Sequence, residues 1–346
     1  MVSKMLCILV TATGGLAGLN AVHSLQEAGA FKIVSVDAEP FAPGLYMEGV
    51  KPYVVPLAKE RRYSSALLKI CEKEKVNVVL PCSDEEVLAL SRDKDFFSRK
   101  GIAIPISDYK IVLRASDRWT MLKAISKLKV KTPKTFSPST QNEFESALKQ
   151  IDFPLVVRPR VSRGARGITY CQDRKVATLA FKLLKQEYEN VIVQELVPGG
   201  PGSVHAVQTL WDKHHKLCAA AVYQKLREKP PTGGVSWAGR TVHNDKLKDL
   251  GVSIMQKLGP WIGPAGVEFK VSSSDNQPYV MEINPRLQAH QFFLAKAGIN
   301  FVHLWLLIAL NNKVAPQFEY EEKYFIKSPS YRLIIGKEVV SDFSAR

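Results

Sequence analysis

The 346-residue sequence predicts a mixed α/β and α+β protein, with a doubly wound α/β domain first and antiparallel sheet elements after it. Three observations lead there. Up to about Ala115, strand-like apolar runs alternate with helical segments, the pattern of a parallel sheet covered on both faces. From Leu155 onward, strands return on one another across glycine-rich or polar turns. Residues 266–286, GVEFKVSSSDNQPYVMEINPR, alternate with period two on either side of Ser272 to Gln277, so two antiparallel strands are the simplest reading.

Taken in order, Met5 to Thr11 is a buried strand, and Gly14-Gly15-Leu16-Ala17-Gly18 turns it into a helix through about Ala28. Lys32 to Val36 is the second strand and ends at Asp37. The glycines match a dinucleotide fingerprint only loosely, as GGxxG rather than GxGxxG, and are read as packing residues. Lys4 and the apolar run after it are too short for a signal peptide, and Phe301 to Leu310 is too short to span a bilayer. A short strand at Tyr53 to Pro56, a helix at Tyr63 to Lys73 and a strand at Val76 to Leu80 follow. Ser83 then opens a helix whose first turn is Asp84-Glu85-Glu86. Capping and the macrodipole account for those acids. Their place at the carboxyl end of a parallel strand offers a second use, the reading of a substrate ammonium group.

Ser116-Asp117 caps a helix from Arg118 to Leu128, and the linker Lys131 to Pro138 leads to a helix at Gln141 to Lys149. In FPLVVRPRVSRGARGITY, Leu155 to Arg158 is a strand, Ser162 to Gly167 a glycine loop and Ile168 to Tyr170 the returning strand. No Gly-Lys-Ser/Thr closes the loop, so it is not a Walker A loop. It could lay backbone amides over phosphates beside Arg158, Arg163 and Arg166, or be a basic hairpin tip. A helix at Ala177 to Gln186 precedes the strand Val191 to Glu195, which runs into Leu196-Val197-Pro198-Gly199-Gly200. Strands at Val204 to Trp211 and Leu217 to Gln224 flank a solvated turn holding His214 and His215. A proline-rich stretch from Glu228 leads to a mobile-looking loop at Pro231 to Ser236, with Arg240 beyond it, and Asp245 to Lys257 reads as a helix. After the hairpin, Ala289 to Ala297 and Phe301 to Leu310 are helical, and the tail from Phe318 forms short strands closing the sheet.

Centred on Asp275, the hairpin sets Glu268 opposite Glu282, Gly266 opposite Asn284 and Lys270 opposite Val280. Val267, Phe269, Val271, Tyr279, Met281 and Ile283 then face the core. Like charges directly across a strand pair are destabilising, so the facing acids make most sense with a cation between them. Two carboxylates and a carboxamide with positions left open for phosphate oxygens suit magnesium. Arg286 could neutralise a transferred phosphoryl group or an anionic substrate. An exposed hairpin whose acids face water accounts for the same spacing.

A net charge of +15 asks for an anionic partner or serves solubility. The cations are spread along the chain, and no basic run interleaved with aromatics occurs. Nucleotide phosphate is therefore a better explanation than nucleic acid. The five cysteines are scattered without a CxxC pair, which points to a reduced, cytoplasmic chain without a zinc site.

The order of these parts resembles the ATP-grasp superfamily, and within it the branch similar to the carbamoyl phosphate synthase large chain. The resemblance covers nearly the whole sequence. It is carried by Asp117-Arg118 before a helix, by VVRPRVSRGARGI, VQELVPGG and PTGGVS, and by GVEFKV followed by MEINPRLQAHQFFLAKAGIN. It implies an ATP-grasp fold with an N-terminal pre-ATP-grasp α/β domain over 1–115. A small lobe with a phosphate flap over 116–194 and a large lobe over 195–346 would follow. It further implies that Arg118 and Arg158 contact ATP phosphates, that Gly164 and Gly167 shape the flap, and that Glu195, Leu196 and Val197 line the adenine pocket. Glu268, Glu282 and Asn284 would hold Mg2+, with Mn2+ as a substitute. Arg286 and Arg158 would be the catalytic cations at the phosphoryl group or acyl substrate.

The implied activity is a carboxylate-amine ligation. ATP phosphorylates a small carboxylic acid, for example an amino acid, and an amine attacks the acyl phosphate, releasing ADP and phosphate. Catalysis would be positioning and charge neutralisation. The implied partners are small-molecule carboxylate and amine substrates, without membrane or nucleic acid, and a homodimer is compatible. Two departures stand out. Several relatives place an acid for the ribose a few residues past the VPG turn, where this chain has Gly199-Gly200-Pro201-Gly202-Ser203. The chain also holds one grasp unit and no glutaminase segment, unlike a complete carbamoyl phosphate synthetase. Two other readings remain open, an acyl-phosphate-forming kinase of the carbamoyl-phosphate type and a nucleotide-binding subunit without catalysis. Glu268, Glu282 and Asn284 argue against the second of these, and the missing ribose acid argues for it. An oxidoreductase resting on GGLAG and Asp37 leaves the hairpin unexplained.

Overall fold

Residues that alternate apolar runs with helical periods build a parallel sheet first. Its strands are β1 (Cys7–Val10), β2 (Lys32–Asp37), β3 (Val50–Val54) and β4 (Val78–Leu80), in the order β3-β2-β1-β4 and all parallel. Around them lie α1 (Leu16–Ala28), α2 (Tyr63–Glu74), α3 (Asp84–Ser98) and α4 (Tyr109–Ser116). The structure is a computed structural model that describes residues 5–162, 166–229, 234–327, 330–335 and 338–344, the last two stretches as backbone. Arg163 and Gly164 of the glycine loop and Pro231 to Gly233 of the later loop lie outside the described residues.

The glycine turn after β1 is a packing device. A Cβ on Gly18 would lie 2.4 Å from the Ala12 carbonyl oxygen, and one on Gly44 would lie 2.4 Å from that of Thr13. Asp37 accepts from the Gly14 amide at 2.7 Å and from the Glu39 amide at 2.9 Å, so it ties the turn to the end of β2.

A second sheet is antiparallel, in the order β5-β8-β6-β7. It follows α5 (Arg118–Ile125) and comprises β5 (Thr135–Phe136), β6 (Leu155–Pro159), β7 (Thr169–Cys171) and β8 (Val191–Glu195). The helices α6 (Gln141–Leu148) and α7 (Arg174–Glu187) cover it around Phe144, Phe181 and Val193. The third sheet has six strands, β9 (Val204–Trp211), β10 (Leu217–Lys229), β11 (Val235–Thr241), β12 (Gly263–Val271), β13 (Pro278–Asn284) and β14 (Tyr324–Ile326). They run in the order β13-β12-β9-β10-β11-β14. Helix α8 (Asp245–Leu258) packs on one face with Trp261 and Phe269. The short α9 (Gln291–Lys296) and α10 (Phe301–Ala309) follow, and Phe301, Val302 and Trp305 of α10 share one core with Ile8 and Leu9 of β1. A separate hairpin, β15 (Ser330–Ile335) with β16 (Glu338–Ser344), completes the described chain. No helix among the described residues is long and apolar enough to cross a membrane.

Four readings are corrected. The first short strand is Val50–Val54 rather than Tyr53 to Pro56, displaced by pairing with β2. The linker Lys131 to Pro138 contains β5, recruited by β8. The strand read as Leu217 to Gln224 runs on to Lys229 as β10, and Val235 and Ser236, read as the end of a loop, open β11, because the two strands pair from Tyr223 with Thr241 to Lys229 with Val235. The hairpin register holds for Gly266 with Asn284 and Glu268 with Glu282, but a bulge after Glu268 shifts the rest. Lys270 therefore pairs with Tyr279, Val280 is fully buried, and Met281 joins the cleft side instead of the core. A bulge inserts one residue and so exchanges the two faces beyond it.

Candidate active site

The hairpin forms the floor of a cleft between the two antiparallel sheets. On one side lies a largely apolar slot of Val156, Ile168, Tyr170, Leu196, Val197 and Met281. Glu195 borders it, with its carboxylate accepting from the Lys134 amide at 2.9 Å and its own amide bonded to the Lys134 carbonyl at 2.8 Å. These bonds extend the pairing of β5 with β8 by one residue. Glu228 and Lys270 close the polar end of the slot. On the other side Arg118, Arg158, Lys225 and Arg286 surround Glu268, Glu282 and Asn284.

Each facing carboxylate already has a protein cation. Arg118 donates a very short bond to Glu282 Oε2, with Arg158 Nη2 3.8 Å from the same oxygen. Lys225 Nζ lies 2.8 Å from Glu268 Oε2. The like-charge pair is thus compensated within the chain, and repulsion alone does not demand a metal. Burial would push the Glu282 carboxyl up, but Arg118 and Arg158 outweigh it and hold the group well below the ordinary range. Burial likewise opposes the Lys225 ammonium, and Glu268 more than offsets it. Burial, reinforced by Arg118, pulls the Arg158 guanidinium below its usual range.

Local structure explains why Arg118 points here. Asp117 caps α5 by accepting from the Thr120 amide at 2.9 Å and also holds Arg160 at 3.0 and 2.6 Å. The Arg118 amide bonds to the Arg160 carbonyl, so the start of α5 is fastened to the end of β6. Gly167 has φ +69°, and a Cβ there would meet the Pro159 ring at 2.8 Å. It shapes the returning strand by conformation and close approach.

The second oxygen of each carboxylate is only loosely engaged. Asn284 Nδ2 is 3.5 Å from Glu282 Oε1, and Gln288 Nε2 is 3.4 Å from Glu268 Oε1. With the Asn284 Oδ1 atom, which accepts from Arg286 at 3.1 Å, these oxygens form a hard donor set that fits magnesium if other oxygens come from a ligand. The described residues contain no cluster of three or more His, Cys, Asp or Glu able to hold a metal.

The acids at the start of α3 have separate duties. Asp84 accepts from Arg286 at 2.8 Å, fixing the guanidinium from across the cleft. Glu85 lines the cleft. Glu86 is buried where β1 and β4 diverge, accepting from Thr11 Oγ1 at 2.5 Å and Ser83 Oγ at 2.9 Å. It fastens strand ends and is not open to a substrate ammonium. Burial raises its pKa from an ordinary 4.5 to about 7. Between those values the native state holds a proton that the unfolded chain releases, so stability falls as pH rises through that window. Glu86→Gln should therefore flatten the pH profile of thermal melting and gain about 2–3 kcal/mol over the wild type at pH 8. Parallel profiles for the two proteins would contradict this account.

Sequence reasoning missed Lys225, Gln288 and His290 as cleft residues. Lys225 had a signal, a cation two residues past the apolar run LCAAAVY and directly before Leu226. Gln288 and His290 stand two and four residues past Arg286, continuing its alternation along the wall.

Residues 115–290 match the ATP-grasp domain family, and residues 8–105 match the PylC-like N-terminal domain. The chain belongs to the ATP-grasp family. It is 24% identical over 297 residues to the carbamoyl phosphate synthase large chain of Haemophilus ducreyi, covering 81% of this chain and 27% of that relative. The chain thus spans about a quarter of the length of such relatives. Among solved structures it is similar to the biotin carboxylase domain of Hydrogenobacter thermophilus 2-oxoglutarate carboxylase, in complex with MgADP, ADP and bicarbonate. The TM-score is 0.72 at 14% identity, covering 95% of this chain and 75% of that one. It is also similar to the L-amino acid ligase of Bacillus licheniformis, with a TM-score of 0.68 at 17% identity, covering 90% and 75%.

Proposed function

We propose that the chain is an ATP-dependent carboxylate-amine ligase. The observation that carries this reading is the paired Glu268 and Glu282 lying between an apolar slot and a cationic pocket in one cleft. The slot takes adenine beside Glu195, Leu196 and Val197, and Arg118 and Arg158 receive the phosphates. Glu268, Glu282 and Asn284 would hold Mg2+, which supplies charge neutralisation at the transferred phosphoryl group. Arg286, steadied by Asp84, orients the acyl group. The acid is a small carboxylate such as an amino acid, in keeping with the similarity to an L-amino acid ligase. We assign residues 1–115 to the substrate wall, 116–194 and 195–346 to the two grasping lobes, and the reaction to the cytoplasm.

The chain's own work is positioning, charge compensation and exclusion of water from the acyl phosphate. ADP formation from pooled carboxylates and amines should require ATP, magnesium and the acid, and rise sharply with the amine. A kinase would make stoichiometric ADP without amine, and a binding subunit would make none. Full ADP turnover without amine, and no condensed product with it, would replace the ligase by the kinase.

A further inference from the structure

This inference rests on the ligase reading and concerns where the amine sits. Past Arg286 the chain runs Leu287-Gln288-Ala289-His290, and Arg286, Gln288 and His290 line the same cationic pocket. Gln288 is 2% exposed, and its Oε1 has no hydrogen-bond partner among the described residues. The residue is rigidly placed. Its amide donates to Gln208 Oε1 at 2.9 Å, its carbonyl accepts from Gln291 at 3.0 Å, and Gly266 leaves the space it fills. A Cβ on Gly266 would lie 2.3 Å from Gln288 Cδ. His290 is 8% exposed, held edge-on by Tyr223 at 5.7 Å and tilted against Phe325 at 4.4 Å. No described residue hydrogen-bonds its ring nitrogens. Burial, with Lys225 and Lys327 nearby, keeps the ring neutral, so it presents one acceptor nitrogen.

Gln288 Oε1, a buried acceptor without a donor, and the His290 ring, which no described residue bonds, stand together in a pocket that also holds Arg118, Arg158, Lys225 and Arg286, and they call for a ligand that brings N–H groups. We propose that Gln288 Oε1 and the His290 imidazole form the subsite for the attacking amine, accepting its N–H bonds and aiming its lone pair at the acyl carbon beside Arg286. A neutral primary amine matches, with two hydrogens for the two acceptors and one lone pair for the carbon. An ammonium has no lone pair, and an alcohol brings one hydrogen. As the nitrogen–carbon bond forms, the acyl carbon–oxygen bond to phosphate breaks. Phosphate leaves with the electron pair and takes the proton shed by nitrogen.

Hydroxylamine is the probe, because it is small, largely neutral near pH 7 and converts an acyl phosphate to a measurable hydroxamate. With pooled carboxylates, ATP and magnesium, hydroxamate formation by the wild type should saturate in hydroxylamine. His290→Phe, which keeps the aromatic packing, should raise the KM for hydroxylamine about tenfold while the KM for ATP stays within about twofold. Gln288→Leu should raise the hydroxylamine KM similarly, and covers the case in which the first variant fails to fold. Linear dependence in the wild type, or an unchanged KM in a folded variant, overturns the subsite. Absence of acid-dependent hydroxamate counts against the ligase reading, and the subsite is then decided by nitrogen-15 histidine spectra. Hydroxylamine added with ATP and magnesium should shift the ring resonance that His290→Phe removes. An unmoved resonance overturns the proposal by itself.

Discussion

Replacing Glu282 by glutamine should lower turnover about 100- to 1,000-fold, an effect of roughly 3–4 kcal/mol on the transition state. The side chain is the one point where Arg118, Arg158 and the proposed metal position meet. Glutamine keeps an oxygen for Arg118 but loses the charge that balances two buried guanidiniums and would bind magnesium. A stability loss of about 1–3 kcal/mol should accompany the loss of rate, because the arginines keep a hydrogen bond but not their counter-ion. Steady-state kinetics at saturating ATP, paired with thermal melting, separates the two effects. A folded Glu282→Gln protein with near-normal turnover would remove the hairpin from the chemistry.

Lys225→Met should have the largest effect on stability. The ammonium is 8% exposed and lies between Glu268 at 2.8 Å and Glu228 at 3.6 Å, whose side chains are 16% and 12% exposed. Methionine fills the space but leaves both buried carboxylates without the ammonium they pair with. Removing one member of a buried ion pair costs about 3–5 kcal/mol. Magnesium should then stabilise the variant more than the wild type, since Glu268 is no longer engaged by Lys225. Melting each protein in magnesium and in chelator gives four values. Equal magnesium responses would argue that Glu268 does not reach the ion.

The hairpin was legible because its alternation is local, and Glu268, Glu282, Gly266 and Asn284 stand in the expected register. Met281 and Val280 were not, because a bulge leaves no mark in the alternation of polar and apolar residues. The same limit applies to β11, which owes its extended form to partners on β10 and β14 rather than to its own turn-rich approach. Arg118, Arg158 and Arg286 could be picked out as cleft residues from their motifs. Their counter-ions could not. Glu282 is 164 residues from Arg118, and Asp84 is 202 from Arg286. Such pairings come from topology, and no window along the chain contains both ends. Gln288 was hidden for a related reason, since its meaning depends on the space left by Gly266 on β12.

The two ion pairs on the hairpin make the resting cleft an ion exchanger. A dication taken up by Glu268 and Glu282, as proposed, would set Lys225 and Arg118 free, and a polyphosphate drawn to Arg118 and Lys225 would set the carboxylates free. Each ligand thereby performs part of the separation that the other needs. Linkage makes this reciprocal: magnesium should tighten nucleotide binding by the same factor as nucleotide tightens magnesium.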